Sequence, residues 1–216
     1  MSEPTERTAV KRLAERGTYD AETAYAIIDE ALICHVGFTT DEGHPMVIPT
    51  IHARIDDTLY LHGSVASRML RTVKRGGQLC VTVTLLDGLV LARSHFHSSM
   101  NYRSLVILGE GREVPDGDEK TDAFKAVVEH IARGRWEDGR LPTPKESRAT
   151  TIVAVPIDEF SAKIRTGGPG DDEEDYALPI WAGVIPLTTV AGDPIGDERL
   201  GSDIPIPAYA ERYGRP

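Results

Sequence analysis

LICHVGFTTDEGHPMVIPTIHARIDDTLYLHGS, residues 32–64, is the stretch that decides the fold. It contains three short runs rich in β-branched and aromatic residues, separated by TTDEGH and by Asp56–Asp57. Both separators are typical of turns. Connections this short join antiparallel strands and leave no room for a crossover helix. The stretch therefore predicts three hairpin-connected strands and argues against a doubly wound parallel sheet.

Helical patterns flank and interrupt these strands. Asp20 is placed to cap a helix over 21–31, and apolar stripes predict further helices over 65–76, ended by Gly76–Gly77, and over 118–132. Two strands around a tight turn at Asp87–Gly88 are expected in QLCVTVTLLDGLVLARS. NYRSLVILGEGREV and TTIVAVPIDEFSAKIRT each predict one more strand. About six strands with inserted helices indicate a compact antiparallel barrel.

Composition limits the possible functions of the 216 residues. The formal net charge of −10 argues against a nucleic-acid partner. Cys34 and Cys80 lie in apolar runs and are typical of buried thiols, and no Cys/His spacing suits a metal. The polar N-terminus is not a signal peptide, and no stretch is long and apolar enough for a membrane helix. A cytoplasmic protein without a membrane or nucleic-acid partner is expected.

Three regions follow along the chain. Residues 1–19 are charged and predict a mobile arm or a loosely docked helix. Residues 20–187 form the barrel domain, and 188–216 predict an extended tail rich in Pro, Gly and Asp. GGPGDDEEDYALP is expected to be an acidic loop, and WAGVIPL to pack back on the barrel. The absence of GxGxxG, GxxxxGK[ST] and GxSxG argues against a Rossmann dehydrogenase, a P-loop NTPase and an α/β-hydrolase.

HGSVASRML, residues 62–70, is the first candidate site. A strand ends at His62, a small polar turn follows, and a helix begins. Ser64 and Ser67 offer hydroxyl groups and Arg68 offers a planar fork of donors, which suits a phosphate. An ordinary capped helix with a solvated basic face is the alternative, and spacing alone favours it.

Two further segments could line a pocket. LARSHFHSSMNYRS, residues 91–104, is dense in hydrogen-bonding side chains and suits a polar rim, or a loop that bonds its own backbone. His95 and His97 would face one side of a strand, but no third metal ligand is evident. Trp181, in PIWAGVIPL, could cover a flat ring system or pack in the core.

Together, LYLHGSVASRMLRTVK, LARSHFHSSMNYRSLVILGEG and IWAGVIPL resemble the FMN-binding split barrel of the pyridoxamine 5′-phosphate oxidase-like superfamily. More narrowly, the chain looks like the flavin-nucleotide-binding branch, which is similar to the nitroimidazole-resistance proteins. The resemblance runs from about residue 20 to 187. It implies a mainly β fold with inserted helices, a six-stranded antiparallel split β-barrel. It also implies a homodimer with two FMN sites across its interface.

The resemblance assigns roles to particular residues. The FMN phosphate would contact His62, Gly63, Ser64, Ser67 and Arg68. Backbone groups of Pro49 and Thr50 would lie near the polar edge of the ring. Contacts from the pocket wall or from the other subunit would come from Asn101, Tyr102, Arg103 and Ser104. Trp181 would approach the flavin.

The chain departs from the oxidases after WAGVIPL, because LTTVAGDPIGDERLGSDIPIP does not match their substrate-binding segment. Vitamin B6 oxidation is therefore not expected. The predicted function is FMN-dependent reduction of a small electrophile such as a nitro compound, with His62 or Tyr102 as candidate proton donors. The alternatives are a non-catalytic flavin-, deazaflavin- or haem-binding module, with His95 or His97 as an axial haem ligand, and a plain interaction domain.

Overall fold

Antiparallel strands dominate the computed structural model, which describes residues 3–214. The strands are β1 (Gly17–Thr18), β2 (Ile33–Thr39), β3 (Pro45–Ile55), β4 (Thr58–Ser64), β5 (Arg75–Leu91), β6 (Ser99–Glu113), β7 (Thr150–Pro156), β8 (Glu159–Arg165) and β9 (Gly183–Pro186). The helices are α1 (Ala21–Glu30), α2 (Arg68–Val73), α3 (Asp118–Ile131), α4 (Arg135–Asp138), α5 (Pro144–Ala149) and α6 (Ala208–Glu211). The mainly β fold with inserted helices is thus confirmed.

Six of the strands form a closed ring in the order β6-β7-β4-β3-β2-β5, because β5 pairs with β6 along most of its length. The long strand β6 also pairs with β8 over Tyr102–Leu108 and with β7 at Arg112 and Glu113. It therefore exchanges one neighbour for another as it crosses the molecule. β1 and β9 extend the sheet from β8 and from β5.

The core fills this ring, and a helix closes each end of it. Alternate residues of the strands point inward, as the pleat requires. At one end α1 contributes Ala24, Ile27 and Ile28 to the core, and at the other end α2 contributes Met69, Leu70 and Val73. The position of α2 matters for function, because it fixes the turn that precedes it.

The helices follow their local signals, with one difference in length. The Asp20 carboxylate accepts a hydrogen bond from the Thr23 amide at 2.9 Å, as the N-cap of α1 should. The helix expected over 65–76 is shorter, Arg68–Val73. Residues 64–67 form a turn instead, and β5 begins at Arg75, with Gly76 at a φ of +83° where its register with β6 shifts.

Two strand predictions were wrong. Asp87–Gly88 is a bulge inside the continuous strand β5, where the register with β6 shifts between Leu86 and Gly88. A Cβ at Gly88 would lie 3.0 Å from the Ile185 carbonyl oxygen, so glycine allows β9 to approach. Residues 150–166, expected as one strand, form two strands, β7 and β8, separated by Ile157 and Asp158.

The segments outside the ring contact it. Near the N-terminus, the Arg7 guanidinium binds the Glu159 carboxylate, and Lys163 Nζ donates to the Arg12 carbonyl oxygen at 2.7 Å. WAGVIPL packs back on the barrel as expected, because β9 pairs with the end of β5. None of the helices within residues 3–214 is long and apolar enough to cross a membrane.

Candidate functional site

A cleft opens where β3 and β4 separate. The two strands pair only between His52–Ile55 and Thr58–Leu61. Beyond that point β3 continues along β2, and β4 continues along β7. One edge of β3 over residues 45–51 therefore has no strand partner among the described residues. Pro49 and Thr50 lie in this stretch. Successive residues of a strand direct their main-chain groups alternately to the two edges, so one of these two residues faces a ligand in the cleft, and Pro49 could act only as an acceptor.

His62 lies on the other side of the cleft, in the part of β4 that has left β3. Strand alternation directs its imidazole to the outer face, the side of Tyr60, and away from the core residue Leu61. The ring is half-buried, and its Nδ1 is buried without a hydrogen-bond partner within residues 3–214. Burial lowers the pKa of His62, so the imidazole is neutral at pH 7. A neutral imidazole can bind a metal ion through a ring nitrogen.

The turn between β4 and α2 is built by its own serines. Ser64 Oγ accepts from the Ala66 amide at 3.2 Å, and Ser67 Oγ caps α2 by accepting from the Leu70 amide at 3.4 Å. A Cβ on Gly63 would lie 3.1 Å from Leu70 Cδ1, so Gly63 permits the close approach of α2. Both hydroxyl groups keep a free proton for donation, but their lone pairs already stabilise the turn.

Arg68 opens α2 and faces a small basic cavity of about 220 Å³. Arg71 and Arg75 line the same cavity, opposite Asp41 and Glu42 of the β2–β3 turn. Only Arg75 is joined to one of these carboxylates, at 3.5 Å from Asp41. The guanidinium groups of Arg68 and Arg71 are exposed. The sequence interpretation missed Arg75, although the spacing of 68, 71 and 75 was a usable signal.

The polar residues of β6 are occupied within their own chain. The Asn101 amide donates to the Gly167 carbonyl at 3.0 Å, and Ser104 Oγ donates to the Lys163 carbonyl at 3.2 Å. Arg103 Nη2 lies 2.7 Å from both a Glu30 and an Asp87 carboxylate oxygen, and these contacts raise the pKa of Arg103. Arg103 therefore fastens the end of α1 to the bulge of β5.

The predicted site residues form two separate groups. His62–Arg68 lie where β4 meets α2, whereas 101–104 lie at the α1 end. Pro49 and Thr50, across the cleft from His62, lie level with the middle of β6, because Pro49 pairs with His35, His35 with Thr82, and Thr82 with Val106. Ser104 and Gly111, which packs on α2, are about 23 Å apart along β6 at about 3.3 Å per residue. Trp181 belongs to the second group, because it immediately precedes β9; its ring is exposed and packs on Gly183. A single chain does not bring the two groups together.

The histidines suggested as haem ligands lie on an exposed 3-10 turn, His95–His97. His97 Nε2 is 3.2 Å from a carboxylate oxygen of Asp172. No group of three or more potential metal-ligating side chains occurs in the part of the chain that is described. His95 is exposed, and His97, although half-buried, is engaged by the Asp172 carboxylate.

Asp171 is the residue of the acidic loop with a clear role. Its side chain is fully buried and accepts from the Arg93 amide at 2.8 Å and from the Ser94 amide at 3.2 Å. Burial raises the pKa of Asp171, but these hydrogen bonds and the Arg93 guanidinium outweigh it and hold the pKa below its usual value. The loop after β8 is thereby fixed to the connection between β5 and β6.

Comparisons with known proteins agree with this architecture. A model of the pyridoxamine 5′-phosphate oxidase family matches residues 20–164. The flavocytochrome Anf3 from Azotobacter vinelandii is 40% identical over 97% of each chain, with a TM-score of 0.91. An FAD and haem binding protein from Mycobacterium smegmatis is 36% identical over 90% of this chain and 95% of its own, with a TM-score of 0.86.

A protein assigned to 5-nitroimidazole antibiotic resistance, from Bacteroides thetaiotaomicron, is 28% identical over 68% of this chain and 86% of its own, with a TM-score of 0.58. No curated protein matches the sequence. The family match spans well over half of the chain, and the ring of six strands corresponds to the split barrel expected from the sequence. The chain belongs to the pyridoxamine 5′-phosphate oxidase-like split-barrel family.

Proposed function

We propose that this protein is an electron-transfer flavoprotein that binds a flavin nucleotide and haem as a homodimer. The observation that carries the proposal is the 40% identity to a flavocytochrome over 97% of both chains. The relative from Mycobacterium smegmatis, named for both FAD and haem, supports the same pair of cofactors. The residues around the cleft fit both groups.

The flavin phosphates are assigned to Arg68 and Arg71. Both guanidinium groups are exposed beside one cavity, and a planar guanidinium binds two phosphate oxygens at once. The polar edge of the flavin ring is assigned to the free edge of β3 at Pro49 and Thr50. With Arg75, the cavity presents three arginines, which face the carboxylates of Asp41 and Glu42 on its other side. We favour FAD because the relative from Mycobacterium smegmatis is named for it, with FMN as the alternative.

The haem iron is assigned to His62. Its imidazole is half-buried beside the cleft, and burial keeps it uncharged. These properties suit an axial ligand, and this assignment replaces His95 and His97. Haem exchanges single electrons, and a flavin can exchange one or two. The role of this chain is to hold both groups and to limit the access of water.

The homodimer is assigned to the outer face of β3, β2, β5 and β6. This face is uncovered, and Val47 at its edge is 66% exposed. Its central positions contain no Asp, Glu, Lys or Arg, as is typical of the core of an interface. They are Ile33, His35, Gly37, Val47, Pro49, Cys80, Thr82, Thr84, Ser104, Val106 and Leu108.

Twofold symmetry gives this contact a second consequence. If the twofold axis of the homodimer lies across the strand direction, the two barrels run antiparallel to each other. The α1 end of one copy then lies beside the α2 end of the other. The polar group at Asn101–Ser104 and Trp181 would then approach the partner's cleft. This arrangement supports the expectation that the second group of site residues acts across the interface.

The test uses purified protein, its visible spectrum, and mass spectrometry of the released ligands. We expect flavin bands together with a Soret band. Arg68→Ala should raise the flavin dissociation constant about ten- to a hundredfold, as for a lost charge-assisted hydrogen bond, and leave the Soret band intact. His62→Ala should remove the Soret band and retain the flavin. Exposed residues serve as matched controls: Arg133→Ala and His95→Ala should bind both cofactors normally.

The outcomes separate the assignments. A protein that takes up neither flavin nor haem contradicts the proposal as a whole. Loss of haem in His95→Ala, with retention in His62→Ala, would move the iron ligand to the 3-10 turn. Unchanged flavin affinity in Arg68→Ala would refute the phosphate assignment.

Reduction of a nitro compound is a second candidate reaction. The specific observation in its favour is the 28% identity to the nitroimidazole-resistance protein. His62 and Tyr102 stay candidate proton donors, and both are half-buried. Anaerobic mixing of the reduced protein with a nitroimidazole tests the idea. Reoxidation of the flavin no faster than in free solution would contradict it.

A further inference from the structure

The chain beyond β9 forms a loop that projects from the barrel, here called the arm and defined as residues 188–206. It departs beside β5, where the Leu187 amide donates to the Asp87 carbonyl oxygen at 3.0 Å. It returns at α6, where the Tyr209 hydroxyl binds Asp138 at 2.6 Å, and at Tyr213, whose hydroxyl donates to the Ile131 carbonyl at 2.8 Å. The arm is therefore held at both ends.

Both ends of the arm reach the same place on the barrel. Val190 and Ala191 at its start line one cavity of about 610 Å³ together with Tyr213, which follows its end. Leu32, just after α1, and Leu86 of β5 line the same cavity. The arm therefore leaves and returns at the α1 end of the ring and extends outward between these points.

The arm is shaped by its own turns. The Leu200 amide donates to the Asp197 carbonyl at 3.0 Å, and the Ile204 amide donates to the Gly201 carbonyl at 3.1 Å. No hydrogen bond or ion pair joins residues 188–206 to any other described residue. Pro194 and Pro205 restrict its backbone, which lowers the entropy lost when such a segment binds.

The side chains of the arm are apolar where they are most exposed. Val190 is 82% exposed and Ile195 is 96% exposed, and Leu200, Ile204 and Ile206 are exposed as well. Single exposed aliphatic residues are ordinary, but five on one projecting loop form a surface of the kind that a partner covers.

We propose that the arm packs against a second copy of this chain and clasps it in the homodimer. The inference rests on the homodimer of the proposed function. A second copy is the partner we infer because the base of the arm is continuous with the charge-free sheet face. Leu32 and Leu86, at the base of the arm, directly adjoin Ile33 and Thr84 of that face. One partner that covers this face also meets the arm.

Charge and length support the same occupant. Within the arm, Asp193, Asp197, Glu198 and Asp203 outnumber the basic Arg199. The central positions of the partner's sheet face carry no carboxylate to repel them, and at its β8 border the basic Lys163 and the acidic Glu159 balance each other. A fully extended stretch of about seven arm residues reaches at most about 25 Å. This length is enough to cross a large part of a neighbouring barrel.

The experiment measures the dimer dissociation constant by sedimentation for the full-length protein with its cofactors. The variant Val190→Ser/Ile195→Asn removes apolar surface that touches little within its own chain, so its melting temperature should stay unchanged. We expect its dissociation constant to rise at least tenfold. Leu141→Asn, at another exposed aliphatic residue, 59% exposed and before α5, is the control and should dimerise like the wild type.

A photo-crosslinking residue at position 195 gives a second readout, with position 141 as its control. We expect a covalent dimer from position 195 only. A wild-type dimer with an unchanged dissociation constant in the double variant and no crosslink at 195 overturns the arm inference and leaves the cofactor assignments standing. A monomeric wild-type protein overturns the arm and the homodimer together, while its spectrum still decides the cofactors.

Discussion

Gly111 is the position where a single methyl group should disturb the site most clearly. It lies near the end of β6, facing inward, where α2 closes the ring. A Cβ built on Gly111 would be 2.4 Å from Val73 Cγ1 of α2 and 2.4 Å from Val153 Cγ1 of β7. Val73 and Val153 are both fully buried, so neither methyl group can move into solvent.

The expected cost follows from this geometry. Carbon atoms prefer a separation of about 3.5–4.0 Å, so both contacts are more than 1 Å too short. Overpacking of this kind typically costs about 1–3 kcal/mol. For a chain of this length, 2 kcal/mol corresponds to a melting temperature about 4–8 °C lower. Because α2 is the element that must shift, Gly111→Ala should also weaken flavin binding at Arg68.

Gly109→Ala is the matched control on the same strand and the same face. Its Cβ would meet only Val155 Cγ1, at an ordinary 3.8 Å. Thermal and urea unfolding of both variants should show a loss for Gly111→Ala and little change for Gly109→Ala. Equal stability and equal flavin affinity in the two variants would show that α2 does not sit against β6 as described.

Three further predictions concern titratable side chains. Asp171→Asn should lower the melting temperature at pH 7. Since the pKa of Asp171 is depressed in the folded protein, the difference in melting temperature between variant and wild type should shrink as pH falls below about 4. A difference that stays constant with pH would contradict this. The pKa of His62 is lowered, so stability of the haem-free protein should fall as pH drops below about 6.5, where only the unfolded state gains the proton. His62→Gln, compared by urea midpoints at pH 7 and 5.5, should lack this loss. Burial raises the pKa of Cys34 to about 12, so this thiol should resist thiol reagents in the folded protein. Burial also raises the pKa of Cys80, but Cys80 lies on the charge-free face and should react faster once dilution dissociates the dimer.

The sequence predicted best where local signals act alone. The Asp20 cap, the turns around β3 and the apolar stripe of α3 depend on neighbours within a few residues, and all three appear in the structure. The Asp87–Gly88 pair is a strong hairpin signal, yet it forms a bulge. Arg103 holds Asp87 from the neighbouring strand, and this contact between distant residues outweighs the local preference for a turn.

The candidate site was predicted in part for the same reason. Residues 62–68 follow one another along the chain, so a strand, a turn and a helix were enough to place them. The basic cavity also needs the β2–β3 turn, which reaches α2 only through the register of the barrel. Asn101–Ser104 contain the right donors, but a sequence does not reveal that Glu30, Asp87 and Gly167 already occupy several of them.

The separation of β3 and β4 connects the fold to the cofactors. A closed ring of fully paired strands would satisfy the edge of β3 and offer nothing to a flavin. Here β4 stays paired with β7 but leaves β3 after Leu61, so β3 has a free edge over residues 45–51, and Nδ1 of His62 is buried without a hydrogen-bond partner among the described residues. A buried polar atom without a partner costs about 1–3 kcal/mol, so the fold is strained at this position beside the cleft. The free edge of β3 and His62 both flank the cleft, next to the exposed arginines of α2. Polar groups without partners in the chain therefore lie beside the place where the proposed cofactors bind.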